Sequence, residues 1–150
     1  MISGPFLMNK EISMLKLLIV DGQGGGIGRQ LVEAIRNAKI PCQITAVGTN
    51  TTATAAMLKA GADQAATGEN SVVVCCRDAD VIAGPVGIAI ADSLLGEITP
   101  KMALAIGQSR AKKLLLPVNH CNNIIVGVGD LALRTLTGEA VSYLSALTNE

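Results

Sequence analysis

Tryptophan is absent from this chain, and Phe6 and Tyr143 are its only aromatic residues. Bulk comes instead from Ala, Val, Ile, Leu and Gly, as in α/β proteins whose helices approach a sheet closely. Charge of one sign is also missing. Lys and Arg together number 12 and so do Asp and Glu, which leaves no electrostatic reason to expect a nucleic-acid partner. No apolar run is long enough to span a membrane. The first residues lack the basic start, apolar core and small-residue cleavage site of a signal peptide, so the expectation is a cytoplasmic protein. Histidine occurs once, at His120, and the cysteines Cys42, Cys75, Cys76 and Cys121 form no C-x-x-C pair. These absences argue against a metal site and a redox pair, and the thiols read as small apolar packing residues. Low charge with a positive mean hydropathy favours a homo-oligomer, a dimer or larger, because a monomer must cover its surface with polar groups.

Glycine is plentiful where it matters. Ile19–Arg29 reads IVDGQGGGIGR and holds five glycines. The stretch follows the apolar run Leu15–Val20 and leads into a helical pattern with Ile27, Leu31 and Ile35 on one face. A strand, a glycine turn and a helix start together make an anion site, since glycine allows close backbone approach and the first free N–H groups favour phosphate. The expected ligand is a nucleotide or another phosphorylated molecule.

The length of 150 residues fits one domain. Residues 1–13 lack any period and read as a loose tail, with the domain at 14–150. Further strands are expected at Gln43–Val47, Ala62–Thr67 (weak, at an edge), Asp80–Ala83, Lys113–Val118 and Asn123–Val128. Helices are expected from Gly26 to Ala38, Thr51 to Ala60, Asn70 (as cap) to Cys76, Thr99 (as cap, with Pro100 first) to Ser109, and Asp130 to Leu147. Gly87–Leu95 fits neither pattern. Strands alternating with helices imply a doubly wound, mostly parallel sheet in a three-layer αβα, Rossmann-like arrangement.

The pattern G-x-G-x-x-G fails here, but Gly22-x-x-x-Gly26-x-Gly28 fits another spacing. It resembles the cofactor loop of the short-chain dehydrogenase/reductase family, which implies NAD or NADP as cofactor. Three features depart from that family. Its Tyr-x-x-x-Lys is missing, because Leu147 stands four residues after Tyr143. The end of the second strand, Gly48-Thr49-Asn50-Thr51, has no carboxylate for a ribose 2′-hydroxyl and no arginine for a 2′-phosphate. Asp21, finally, adjoins the glycines, where a carboxylate beside pyrophosphate is unfavourable. Asp21 reads alternatively as a turn residue, or as a phospho-acceptor or magnesium ligand, although Gln23 stands where a haloacid-dehalogenase pattern needs a second Asp.

A broader resemblance rests on IVDGQGGGIG (19–28), AVGTNTTATAAMLKAGA (46–62), TGEN (67–70), GPVGIAIADSLLGEITPK (84–101) and PVNHCN (117–122). These segments resemble an uncharacterised bacterial family of small Rossmann-like proteins grouped under a domain of unknown function. That resemblance implies the fold and no activity.

In such a sheet, ligands sit beyond the carboxyl ends of the strands, at the switch between the first strand and the fourth. Expected there are backbone donors from Gly24, Gly25 and Gly26, with Gly22 and Gly28 allowing the turn and Gln23 and Ile27 completing the loop. Thr49, Asn50, Gly84, Pro85 and Asn119 are expected around the same crevice. Asp92 and Glu97 are the only carboxylates between Gly84 and Thr99, and apolar surroundings would raise their pKa toward acid–base use. Asp21, Asp92 and His120 are the catalytic candidates. The reading is therefore a nucleotide-cofactor-binding protein, NAD or NADP first, as a small oxidoreductase. The alternatives are a non-catalytic sensor or adaptor for a phosphorylated metabolite, and a magnesium-dependent phosphoryl-transfer protein using Asp21.

Overall fold

The computed structural model describes residues 14–118 and 122–149. The tail at 1–13, and Asn119, His120 and Cys121, lie outside the described residues. Five strands, β1 (Leu15–Asp21), β2 (Cys42–Gly48), β3 (Gln64–Thr67), β4 (Val81–Pro85) and β5 (Lys112–Leu116), form one sheet in the order β3-β2-β1-β4-β5. Every pair is parallel. The helices are α1 (Gly26–Asn37), α2 (Thr51–Ala60), α3 (Glu69–Cys75), α4 (Pro100–Gln108) and α5 (Leu133–Thr148), with a 3₁₀ turn at Val86–Ala89.

The two faces of β1 explain the layers. Leu17 and Ile19 point into a core shared with Leu31 and Ile35 of α1, Met57 of α2 and Leu144 of α5. Leu18 and Val20 point into the other, with Val72 of α3 and Met102 and Ile106 of α4. A strand covered on both faces needs apolar residues at successive positions rather than alternate ones, and this is why Leu17–Val20 reads as an unbroken run. The result is the doubly wound α/β fold expected of the alternating pattern. β1 pairs with β2 in register Asp21↔Gly48 and with β4 in register Ile19↔Ala83, so the chain reverses its winding direction beside β1.

Local signals place most boundaries. Thr99 Oγ1 accepts from Met102 N at 3.1 Å with Pro100 at the first helical position, and α4 starts there. Asn50 caps α2 through Ala53 N. The helix expected behind an Asn70 cap begins two residues earlier, at Glu69, because Gly68 with φ 102° makes the turn and stands at the cap. The expected sixth strand is not formed. Its β-branched run is broken by a turn, Val128 N donating to Ile125 O at 3.1 Å with Gly127 at φ 87°, and an extended strand cannot pass through that geometry. Ile124 and Val126 are left 85% and 92% exposed, and β5 ends the sheet among the described residues.

Candidate functional site

At the carboxyl end of β1 the chain turns through Gly22–Gly25 into α1. Gly25 donates to Gly22 O at 2.9 Å and takes φ 73°, which closes the turn and starts the helix. A Cβ on Gly25 would lie 2.7 Å from the Ala53 Cα, so both the conformation and the space require glycine. Gly28 is constrained differently. A Cβ there would sit 3.0 Å from Asp21 Cβ and collide with Met57 Sδ, so its glycine lets α1 lie close to β1 and α2. Around Gly24 and Gly26 a Cβ would meet nothing within 4 Å. Neither N–H has a hydrogen bond among the described residues. Both residues are exposed, and two backbone donors without an internal partner at the start of a helix are the feature a phosphate would use.

Asp21 is 3% exposed and faces inward. Its Oδ1 accepts from Gly22 N at 2.8 Å and its Oδ2 from Gly28 N at 2.7 Å. The side chain thus caps the loop and the first turn of α1. Burial pushes its pKa up, against the lowering effect of the Gly28, Gly22 and Ile27 N–H groups. Part of the positive end of α1 is therefore already met by this carboxylate, and Gly25 N is engaged within the turn. Of the three donors expected from the glycines, Gly24 and Gly26 remain.

The structure also brings in a residue from far along the chain. Glu97, in the turn before α4, lies over the end of β2. Its Oε1 accepts from Thr49 Oγ1 at 2.5 Å, Gln23 N at 2.9 Å and Asn50 Nδ2 at 2.9 Å. Oε2 has no hydrogen bond among the described residues. Asn50 Nδ2 also donates to Gln23 O at 2.9 Å, so Asn50 ties the glycine loop, β2 and Glu97 together. The Thr49 hydrogen bond is the largest influence on Glu97, and with the Gln23 and Asn50 bonds it outweighs burial and holds the carboxyl below its usual pKa. The expectation of a raised, acid–base Glu97 is corrected: three donors serve its charged form. Reaching it takes a strained turn, with Asp92, Leu94 and Leu95 at φ 66°, 58° and 56°.

The other expected residues fall as follows. Gln23, Thr49 and Asn50 converge on Glu97. Ile27 turns its side chain into the core. Gly84 and Pro85 are buried at the end of β4. A Cβ on Gly84 would fall on the Val20 carbonyl oxygen, so this glycine answers the backbone of β1. Asp92 is exposed and its carboxylate makes no hydrogen bond among the described residues. Asn119 and His120 lie outside the described residues. No group of three His, Cys, Asp or Glu side chains gathers for a metal, and no helix is long and apolar enough to cross a membrane, both among the described residues.

A concavity of about 760 Å³ lies elsewhere, at the amino ends of β4 and β5 between Arg77, Asp80, Gln108 and Arg110. Its wall carries the guanidinium groups of Arg77 and Arg110, which have no hydrogen-bond partner among the described residues, and Ser109 Oγ, which donates to Cys76 O at 2.9 Å. The glycine loop is the candidate that the sheet topology favours, since it stands at the switch between β1 and β4.

A family model described as a domain of unknown function, DUF3842, matches residues 16–149. The chain belongs to the DUF3842 family. Neither the curated proteins nor the solved structures include a match to it.

Carboxylates outside the loop give the first prediction. Asp63 is held below its ordinary pKa although burial opposes this, because it accepts from Ile44 N at 2.7 Å and pairs with Arg36 Nη2 at 2.7 Å. A depressed folded pKa contributes stability above the unfolded value and loses it as pH falls through the folded one. Urea unfolding of the wild type and Asp63→Asn from pH 7 to 3 should show a gap that closes below about pH 4. A gap constant over that range would remove the ion pair and its N–H bond from the account. Asp21 acts oppositely: its raised pKa makes stability fall as pH rises from its unfolded value through its folded one.

Proposed function

We propose that this protein binds a nucleotide cofactor, NAD or NADP, across the glycine loop at the switch between β1 and β4. The observation that carries the proposal is the exposed pair Gly24 and Gly26 at the start of α1, whose N–H groups have no partner among the described residues. These two glycines would take phosphate, while Thr49, Asn50 and Glu97 would face the ribose. Bound NAD(P) would supply hydride transfer, and the chain would hold and orient it.

The same loop favours a second reading, a sensor or adaptor that binds without chemistry. Its two carboxylates, Asp21 and Glu97, are both held by hydrogen bonds from the protein itself. Under that reading the ligand still binds, no substrate is turned over, and Asp92→Asn and His120→Ala leave the protein unchanged.

A thermal-shift series with NAD, NADH, NADP, NADPH, ATP and AMP tests the site. A ligand at ~100 times its Kd adds about 2.7 kcal/mol of stability. Gly26→Val should abolish the shift and leave the unliganded stability within about 1 kcal/mol, because its side chain enters open space. If no nucleotide raises the Tm, or if Gly26→Val leaves the shift intact, the proposal is wrong.

A further inference from the structure

Resting on the nucleotide reading above, we infer that Glu97 determines which ribose the site accepts, taking a free hydroxyl and rejecting a phosphorylated one. A carboxylate after β2 is the usual means of gripping a ribose 2′-hydroxyl, and the residues after β2 in this chain include none. The fold supplies one by another route, from the turn between β4 and α4. Glu97 Oε1 is fixed by three donors from two different segments, Gln23 N, Thr49 Oγ1 and Asn50 Nδ2. Fixing one oxygen orients the other. Oε2 has no partner among the described residues and is an acceptor for hydroxyl hydrogens.

The same three donors would make a good phosphate site if they were free. An N–H, a hydroxyl and an amide that converge on one point suit an anion. Glu97 already supplies that anion, so a second negative group at this position meets both repulsion and occupied donors. The ligand class is thus a nucleotide with an unmodified ribose diol, NAD rather than NADP.

Isothermal titration of the full chain with NAD and with NADP decides the matter, with wild type, Glu97→Gln and Glu97→Ala compared. The wild type should bind NAD at least tenfold more tightly than NADP. Glu97→Gln, which keeps the shape and removes the charge, should bring the two affinities within about threefold. Glu97→Ala frees the three donors and should raise affinity for NADP at least tenfold. Unliganded melting curves verify that the variants are folded. Equal or tighter binding of NADP by the wild type overturns the assignment. So does an NAD-to-NADP ratio that both variants leave unchanged, which would make Glu97 a structural tie alone. Failure of the wild type to bind either dinucleotide overturns the nucleotide reading together with this one.

Discussion

Gly84→Val should be among the most destabilising single substitutions in this protein. The residue lies in β4, hydrogen-bonded beside the central strand, and even a single Cβ would fall on the Val20 carbonyl oxygen and come within 3.1 Å of Ile88 Cδ1. The first contact is with backbone of a strand covered on both faces, so β1 cannot yield without disturbing its pairing with β2. Overpacking a core usually costs about 1–3 kcal/mol, and a clash with fixed backbone lies at or above the top of that range. Valine adds two methyl groups, so a loss on the order of 3 kcal/mol or more is expected, a large part of a small domain's ~5–15 kcal/mol. Urea unfolding by circular dichroism measures it, with Gly84→Ala as the milder step. A Gly84→Val midpoint close to wild type would show that the space at β1 is not as tight as described.

The second large effect belongs to Asp21. Asp21→Leu has similar bulk and no acceptor, so the N–H groups of Gly22 and Gly28 lose their buried partner. Leaving one buried donor unpaired costs roughly 1–3 kcal/mol, so two predict about 2–5 kcal/mol after partial relaxation. Opposing this is the cost of keeping a carboxylate in a buried place, which the raised pKa records. The hydrogen bonds should win for leucine, because nothing else in the loop offers an acceptor to both groups. Asp21→Asn keeps one acceptor oxygen and should fall between wild type and leucine. The same urea series measures this, and an Asp21→Leu protein as stable as wild type would mean that water reaches those N–H groups. It would also undo the description of Asp21 as a cap and restore interest in its reactivity.

Much of the fold is legible in the residues because its rules are local. Leu15–Val20 needs only its apolar continuity to be a doubly covered strand, and Thr99-Pro100 needs only capping chemistry to start a helix. The edge position of β3 follows from its weak pattern. Asn123–Val128 is the counter-example: it has the composition of a strand, but Gly127 turns the chain. The site was half legible. The spacing of Gly22, Gly26 and Gly28 marks the loop, yet it does not reveal that Asp21 turns inward onto Gly28 N, or that Gly84 answers the Val20 carbonyl. Glu97 was visible only as a lone carboxylate in an apolar stretch. Its meeting with Gln23 depends on a separation of 74 residues and on a turn of left-handed residues that no periodicity announces.

The placement of β1 between β2 and β4 has a consequence for the order of assembly. β2 follows β1 after one helix, whereas β4 arrives only at Val81. As the chain leaves the ribosome, one edge of the central strand must wait bare while the five elements from α1 to α3 are made. Loop-closure entropy is met before that long-range pairing can offset it, and exposed strand edges in the interval invite association with other chains. The ties to Glu97 lie later still in the chain, so the binding surface is completed after the sheet that carries it has begun to form. The glycine loop is made before most of the sheet that carries it and is among the last parts to reach its finished shape.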